Sequence, residues 1–210
     1  MNKVTMSGGD GLWARIRAAL GRDAREPAYG QAAIASNPNK KTRLAQRVDD
    51  DLRRGWMYCA DRNVSLCVVT LEMDGYGDYF AAYGREAVDG CLETLEGVIG
   101  GLLPRTTDRC IRNGRAGFVL VLPDMPALMA RDLASRIAAT IRRQGLANRQ
   151  SHVGQVTMST GIAVANPQGG FDRSVLEAAQ QAVKKAQRRG LARLEVVDLR
   201  GRDDRQRRAA

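Results

Sequence analysis

Apolar positions along this chain change their spacing several times, and each change marks a new element. Between residues 39 and 60 the chain is polar, with Leu44, Val48 and Leu52 four apart, which predicts a helix with a narrow buried stripe. Leu66 to Met73 is a continuous apolar run of the length expected of a strand buried on both faces, and Gly75 to Gly77 ends it. From about Tyr79 to Leu103, Tyr83, Ala87, Cys91, Leu95, Val98 and Leu102 recur every three or four positions, predicting one long amphipathic helix. Ile111 and the run Phe118 to Leu122 read as strands. Asn113-Gly114 between them predicts a hairpin with a type I′ turn, which needs positive φ at both central residues. Pro126 opens a helix with Leu133, Ile137 and Ile141 four apart. Val156, Met158, Thr160, Ile162 and Val164 alternate as a strand. Ser174 and Glu177 stand at capping-box spacing ahead of a helix reaching Arg189, and Leu194 to Val197 makes a last strand. The order is β-α-β-β-α-β, preceded by a helix and followed by an α-β pair. That is an α+β fold, a ferredoxin-like core with additional helix and strand elements, and it contains no internal repeat.

The ends of the chain differ from this middle. In residues 1–31, Leu12, Trp13, Ile16 and Leu20 share a helical face away from Arg15, Arg17 and Arg22, a short basic amphipathic helix. Its plain reading, which comes first, is a helix packed on the domain or a frayed leader; its functional reading is a partner-docking or membrane-surface element. Gly8-Gly9-Asp10 follows no strand and is a leader sequence rather than a catalytic loop. Residues 199–210 form a basic tail expected to be solvated. The expected organisation is therefore a leader at 1–31, one domain at 32–198 and the tail.

Charge narrows the partners. The 210 residues hold 33 Lys and Arg against 23 Asp and Glu, a net charge of +10, which favours anionic ligands. Only 5% of residues are aromatic and no nucleic-acid motif is present, so nucleic acid is not the expected partner. Cys59, Cys67, Cys91 and Cys110 lack CxxC spacing and read as free thiols of a reducing compartment rather than as disulfides or a zinc site. His152 is the only histidine, which leaves little room for a His-dependent triad. With no apolar run of membrane-spanning length and no signal-peptide core, the expected location is cytoplasmic.

The informative chemistry is Arg105-Thr106-Thr107-Asp108, on the loop between the long helix and the hairpin. A guanidinium there can fork onto a phosphate or the edge of guanine, and a carboxylate can accept from guanine N–H groups. The plainer alternative is a surface salt bridge of little energy.

In five places the chain resembles the GGDEF domain of diguanylate cyclases, which join two GTP molecules into cyclic di-GMP. These are Leu71-Glu72-Met73-Asp74-Gly75-Tyr76; Tyr83-Gly84 with Asp89 and Leu92; Arg112-Asn113-Gly114 with Phe118; Val156 to Ala163; and Ala179 to Ala186 with Gly190. Pro38-Asn39-Lys40-Lys41 is similar to the family's opening motif. The resemblance covers roughly residues 32–198 and implies a nucleotidyl-cyclase-like fold. It also implies a loss. The family holds divalent metal with an acidic residue at the end of the first strand and two at the hairpin, and metal-assisted phosphodiester formation depends on them. Here those positions are Glu72, Ala116 and Gly117, and the signature has become Gly114-Arg115-Ala116-Gly117-Phe118. Other substrate positions are matched by Phe80, Gly77, Gln187 and Leu191; Asp89, matching a guanine-reading Asp, remains. The resemblance therefore implies a degenerate active site with no catalytic residue, metal ligand set or cofactor.

The family's product-binding inhibitory site is an Arg-x-x-Asp just before the hairpin strand. Arg105 and Asp108 fall at its spacing from Gly114, and Arg136 on the following helix matches a second ligand arginine. The pattern recurs at Arg47–Asp50 and Arg200–Asp203, so only the offset from the hairpin singles out this copy. The expectation is a cyclic di-GMP receptor that relays ligand level to a protein partner, through the N-terminal helix among other surfaces, with a ligand-bridged homodimer as a further consequence. A ligand-free interaction scaffold and a residual cyclase using Glu72 are the alternatives.

Overall fold

The computed structural model describes residues 38–200, with side chains described from Leu44 onward. The chain divides into two compact units, Met1–Lys40 and Lys41–Ala210. All the described elements belong to the second unit, apart from the first residues of its opening helix. The expected N-terminal helix and basic tail lie outside the described residues. In order, the elements are α1 (Pro38–Arg62), β1 (Leu66–Met73), α2 (Tyr76–Leu102), β2 (Arg109–Asn113), β3 (Gly117–Pro123), α3 (Ala127–Gln144), β4 (Met158–Ala165), α4 (Ser174–Arg188) and β5 (Leu194–Asp198).

The five strands form one sheet in the order β2-β3-β1-β4-β5. β1 is central. It pairs antiparallel with β3 on one side, Leu71 facing Phe118, and with β4 on the other, Val69 facing Ile162. β5 adds in parallel beyond β4 after the α4 crossover. The continuous apolar run at Leu66–Met73 is accounted for by layers on both faces. Cys67, Val69 and Leu71 pack with α2 and α3 through Leu95, Ile99, Leu133 and Ile137. Leu66 and Val68 pack with α1 and α4 through Val48, Leu52, Trp56, Leu176 and Ala179. So α2 and α3 are the helices of the βαββαβ core, and the added α1 and α4 close its other face. Cys59, Cys67 and Cys91 are buried free thiols and Cys110 is partly buried. Burial pushes the Cys67 thiol up to about 12.

Three local expectations change. α2 is not one straight helix: Gly84 sits at φ 75°, ψ −176° inside it and breaks the regular backbone. The break resets the phase of the buried stripe, which runs through Tyr79, Val88, Cys91, Leu92, Leu95 and Ile99 rather than through Tyr83 and Ala87. The hairpin is not a two-residue type I′ turn, because Asn113 pairs with Gly117 across three loop residues and only Gly114 has positive φ (67°). The capping box at Ser174 does not form. Ser174 lies inside the helix, and both its amide and its hydroxyl donate to Asp172, at 2.8 and 2.5 Å.

β4 is buried at every position, so the polar residues between its apolar ones also face protein. Gly161 shows why. A Cβ there would lie 2.2 Å from the Ala179 carbonyl oxygen and 2.3 Å from the Val183 nitrogen, so α4 rests directly on the strand backbone. Beside it the Thr70 hydroxyl donates to the Ala179 carbonyl at 2.8 Å. Gly161→Ala must push α4 off the sheet; a stability loss of roughly 1–3 kcal/mol is expected in urea denaturation, as for overpacked cores.

Candidate functional site

Where β1 ends, Asp74 anchors it to β4 and to the turn before β5. The residue is buried. Its carboxylate accepts from Thr157 Oγ1 at 2.7 Å, Ser159 Oγ at 2.6 Å and the Ala192 amide at 2.9 Å. Its own amide donates to the Thr157 carbonyl, and the neighbouring Met73 amide donates to the Ala116 carbonyl. One side chain thus ties the end of β1 to the start of β4 and to the turn before β5. Residue patterns alone assign Asp74 no such role. Its partners lie 83, 85 and 118 positions away, and no local pattern announces them.

Two features flank this clasp. The first is a shallow cleft of about 220 Å³ between β1 and the hairpin tip, lined by Glu72, Tyr76 and Asn113 to Gly117. Glu72 pairs in register with Gly117 on one side and Ser159 on the other. Burial raises its carboxyl above the ordinary value, Lys184 opposes the shift, and Asp74 adds to it. Gly114 and Arg115 are exposed at the tip and Ala116 is half-buried. Gly117 is buried, and a Cβ there would stand 2.8 Å from the Leu71 carbonyl oxygen and 3.4 Å from Glu72 Cγ. The hairpin therefore lies closer to β1 than any side chain at 117 allows. Asp89 is exposed on α2 and is not part of the cleft lining. Phe80 is partly exposed and lies against Tyr76 with ring centroids 5.9 Å apart.

The second feature is the turn from Arg105 to Asp108. Asp108 is buried while the Arg105 side chain is about one-third exposed. The Arg105 amide donates to Asp108 Oδ2 at 3.1 Å, and the Asp108 amide donates back to the Arg105 carbonyl at 3.1 Å. Arg105 Nη1 donates to the Asp124 carbonyl at 2.9 Å, in the connection that leads into α3. Arg109 Nη1 donates to the carbonyls of Thr106 and Asp108, closing the turn from the far side. Arg105 Nε and Asp108 Oδ1 form an ion pair at 3.5 Å without a hydrogen bond. Asp108 Oδ1 and Arg105 Nη2 are both buried and both lack a hydrogen-bond partner among the described residues. Buried charged groups are normally hydrogen-bonded, and at this turn the Arg105–Asp108 ion pair compensates them instead.

Arg136 does not join this turn. It projects from α3 and pairs with Asp132 one helical turn back, Nε to Oδ2 at 3.0 Å, both side chains well exposed. Asp124 and Arg109, which do join it, are not singled out by any sequence motif. Arg109 adjoins Asp108 and is legible only as one more arginine; the Asp124 contribution is a backbone carbonyl, invisible to any residue pattern.

Burial raises the Asp108 carboxyl above its ordinary value of 3.8, and Arg105 pulls the other way. A carboxyl with a raised folded-state value binds its proton more tightly in the folded protein. Its stabilising contribution is complete below 3.8 and is lost as pH rises through the folded-state value. Relative to Asp108→Asn, the wild type should therefore lose stability as pH climbs through the carboxylate range, read from denaturation midpoints at a series of pH values.

The fold has counterparts among known proteins. Residues 40–193 match the family model of the diguanylate cyclase GGDEF domain. No curated protein matches. Among solved structures, the chain is similar to the GGDEF domain of DgcB from Caulobacter crescentus in complex with c-di-GMP. That match has 23% identity and a TM-score of 0.64, covering 72% of this chain and 88% of that one. It is similar to the active GGEEF domain of a diguanylate cyclase from Vibrio cholerae at 20% identity and a TM-score of 0.62, covering 70% and 92%. It is also similar to diguanylate cyclase SiaD of Pseudomonas aeruginosa, solved with its activator SiaC, at 20% identity and a TM-score of 0.61, covering 89% and 76%. Among the described residues no helix is long and apolar enough to cross a membrane. The family model spans most of the chain, and the fold matches the solved structures: this chain belongs to the GGDEF domain family of diguanylate cyclases.

Proposed function

We propose that this protein is a receptor for cyclic di-GMP without cyclase activity, binding the ligand at the Arg105–Asp108 turn. The observation that carries the reading is the open pair at that turn: a buried guanidinium nitrogen and a buried carboxylate oxygen, adjacent and unsatisfied. A cyclic dinucleotide offers the complement of both, phosphate oxygens for the guanidinium and guanine N–H groups for the carboxylate. The turn stands at the family's inhibitory-site spacing from Gly114. Arg136, exposed and held only by an i,i+4 pair, is free to swing to a second phosphate.

The donor set at the cleft supports the loss of chemistry. Divalent metal for phosphoryl transfer needs several oxygen ligands. Ala116 and Gly117 offer none from their side chains, and Asp74 directs both carboxylate oxygens to protein donors. Among the described residues no group of three or more His, Cys, Asp or Glu is placed to hold a metal. The residues present do not fit the metal that the family's reaction requires. The protein that reads the receptor's state would do so by favouring one of its two forms, ligand-bound or free.

Two measurements test the reading. In calorimetry, cyclic di-GMP binds the wild type, and Arg105→Ala weakens binding by roughly ten- to a hundredfold, the loss of about 1.5–3 kcal/mol from charged hydrogen bonds. Absence of binding by the wild type sinks the receptor reading. Incubated with GTP and Mg²⁺, the wild type yields no cyclic di-GMP by chromatography; a steady product peak overturns the claim of inactivity.

A further inference from the structure

Strand β2 is the edge of the sheet, paired only with β3 among the described residues. A groove of about 540 Å³ runs beside it, with four consecutive β2 residues, Arg109 to Arg112, in its lining. Neighbouring residues of a strand point to opposite faces, and here they do. Ile111 is buried in the α1-side core, Cys110 packs against the α2-side core, and Arg112 pairs with Glu96 of α2 at 2.8 Å. Residues from both faces line one groove only where that groove follows the open edge between them. Its floor is then the outward row of β2 backbone donors and acceptors, which is the template that strand addition uses.

The walls carry charge. α1 contributes Arg47, Asp50, Asp51 and Arg54, and α2 contributes Glu96, so the lining holds four arginines against three carboxylates. Asp51 is paired with Arg54 and Glu96 with Arg112. Arg47 on α1 and Arg109 at the start of β2 form no ion pair among the described residues, nor does Asp50; Arg109 rests on backbone carbonyls of its own turn and acts on Asp108 from there. A second copy of β2 suits this edge poorly. Antiparallel pairing about Ile111 would set Arg112 opposite Cys110 and leave the two Arg112 side chains diagonal neighbours on one face, and β2 itself carries no carboxylate to meet Arg47 or Arg109.

We propose that the β2 edge is a docking strand for an extended segment of a partner protein, one that adds to the sheet through its backbone and meets Arg47 and Arg109 with carboxylates. The site adjoins the Arg105–Asp108 turn through Arg109, so Arg47→Glu alone, which leaves that turn untouched, separates peptide binding from cyclic di-GMP binding.

The test is a displayed library of random eight-residue peptides, selected on the full-length protein and counter-selected on the Arg47→Glu, Arg109→Glu double variant. Both positions are exposed, and circular dichroism verifies that the variant folds. Selected peptides should carry Asp or Glu at alternate positions. A synthetic consensus peptide should bind the wild type at least ~10-fold more tightly than the double variant, as expected for paired charges across an interface. It should slow amide hydrogen exchange at residues 109–113. Replacing its central residue by proline should abolish binding, since proline removes a ladder donor. The idea is overturned if no acidic consensus emerges, if the proline peptide binds as well, or if protection maps elsewhere. It is equally overturned if the outward-facing β2 amides, those not bonded to β3, are already protected without peptide, because another copy or another part of the chain then holds the edge.

Discussion

Everything in this domain hangs from β1, a strand hydrogen-bonded along both edges and buried on both faces. Such a strand cannot be stable by itself. Its backbone groups need β3 and β4, and its side chains need two helical layers, so one segment of eight residues demands most of the remaining architecture. The Asp74 clasp completes the demand. A carboxylate this deeply buried is tolerable only when its oxygens are satisfied, and its partners come from β4 and the turn before β5. Satisfying Asp74 therefore sets the position of β4 and of the last turn together, while the adjoining Met73 amide holds the hairpin through the Ala116 carbonyl.

That arrangement separates two kinds of site. The cleft beside Glu72 inherits its shape from the clasp, but its floor is closed: Gly117 lies against the Leu71 carbonyl, and the hairpin contributes backbone where chemistry would need carboxylates. The Arg105–Asp108 turn lies outside the clasp, on a connection between layers. It is braced by single hydrogen bonds from Arg105 to Asp124 and from Arg109 to the turn carbonyls. Its contacts are confined to the turn and to Asp124, whereas the clasp directs three hydrogen bonds to segments far along the chain.

Much of this was legible from residue order. The period of two or of none in the strands, and of 3.6 in the helices, placed the nine elements of the described residues, because burial imposes those periods wherever the elements pack. The failures were local. Gly84 breaks its helix with a positive φ, Ser174 is taken by its near neighbour Asp172, and the Asn113-Gly114 turn yields to the pairing of the strands it joins. At Gly114 the three-residue loop delivers Gly117 directly opposite Asn113 and Glu72, which a two-residue turn would not.

The sequence by itself determined the family, the strand and helix inventory, the absence of carboxylates at 116 and 117, and the Arg105–Asp108 pair, since each is a matter of residue type at a spacing. Only the tertiary structure decided that Asp74 is the keystone, that Gly117 is sealed against β1, and that Arg136 stands apart from Arg105. It alone exposed an unsatisfied charge pair and an open strand edge. Those are properties of distance and burial between residues far apart in the chain. Hydrogen bonding and desolvation depend on what surrounds a group in space, and its place in the sequence does not record that.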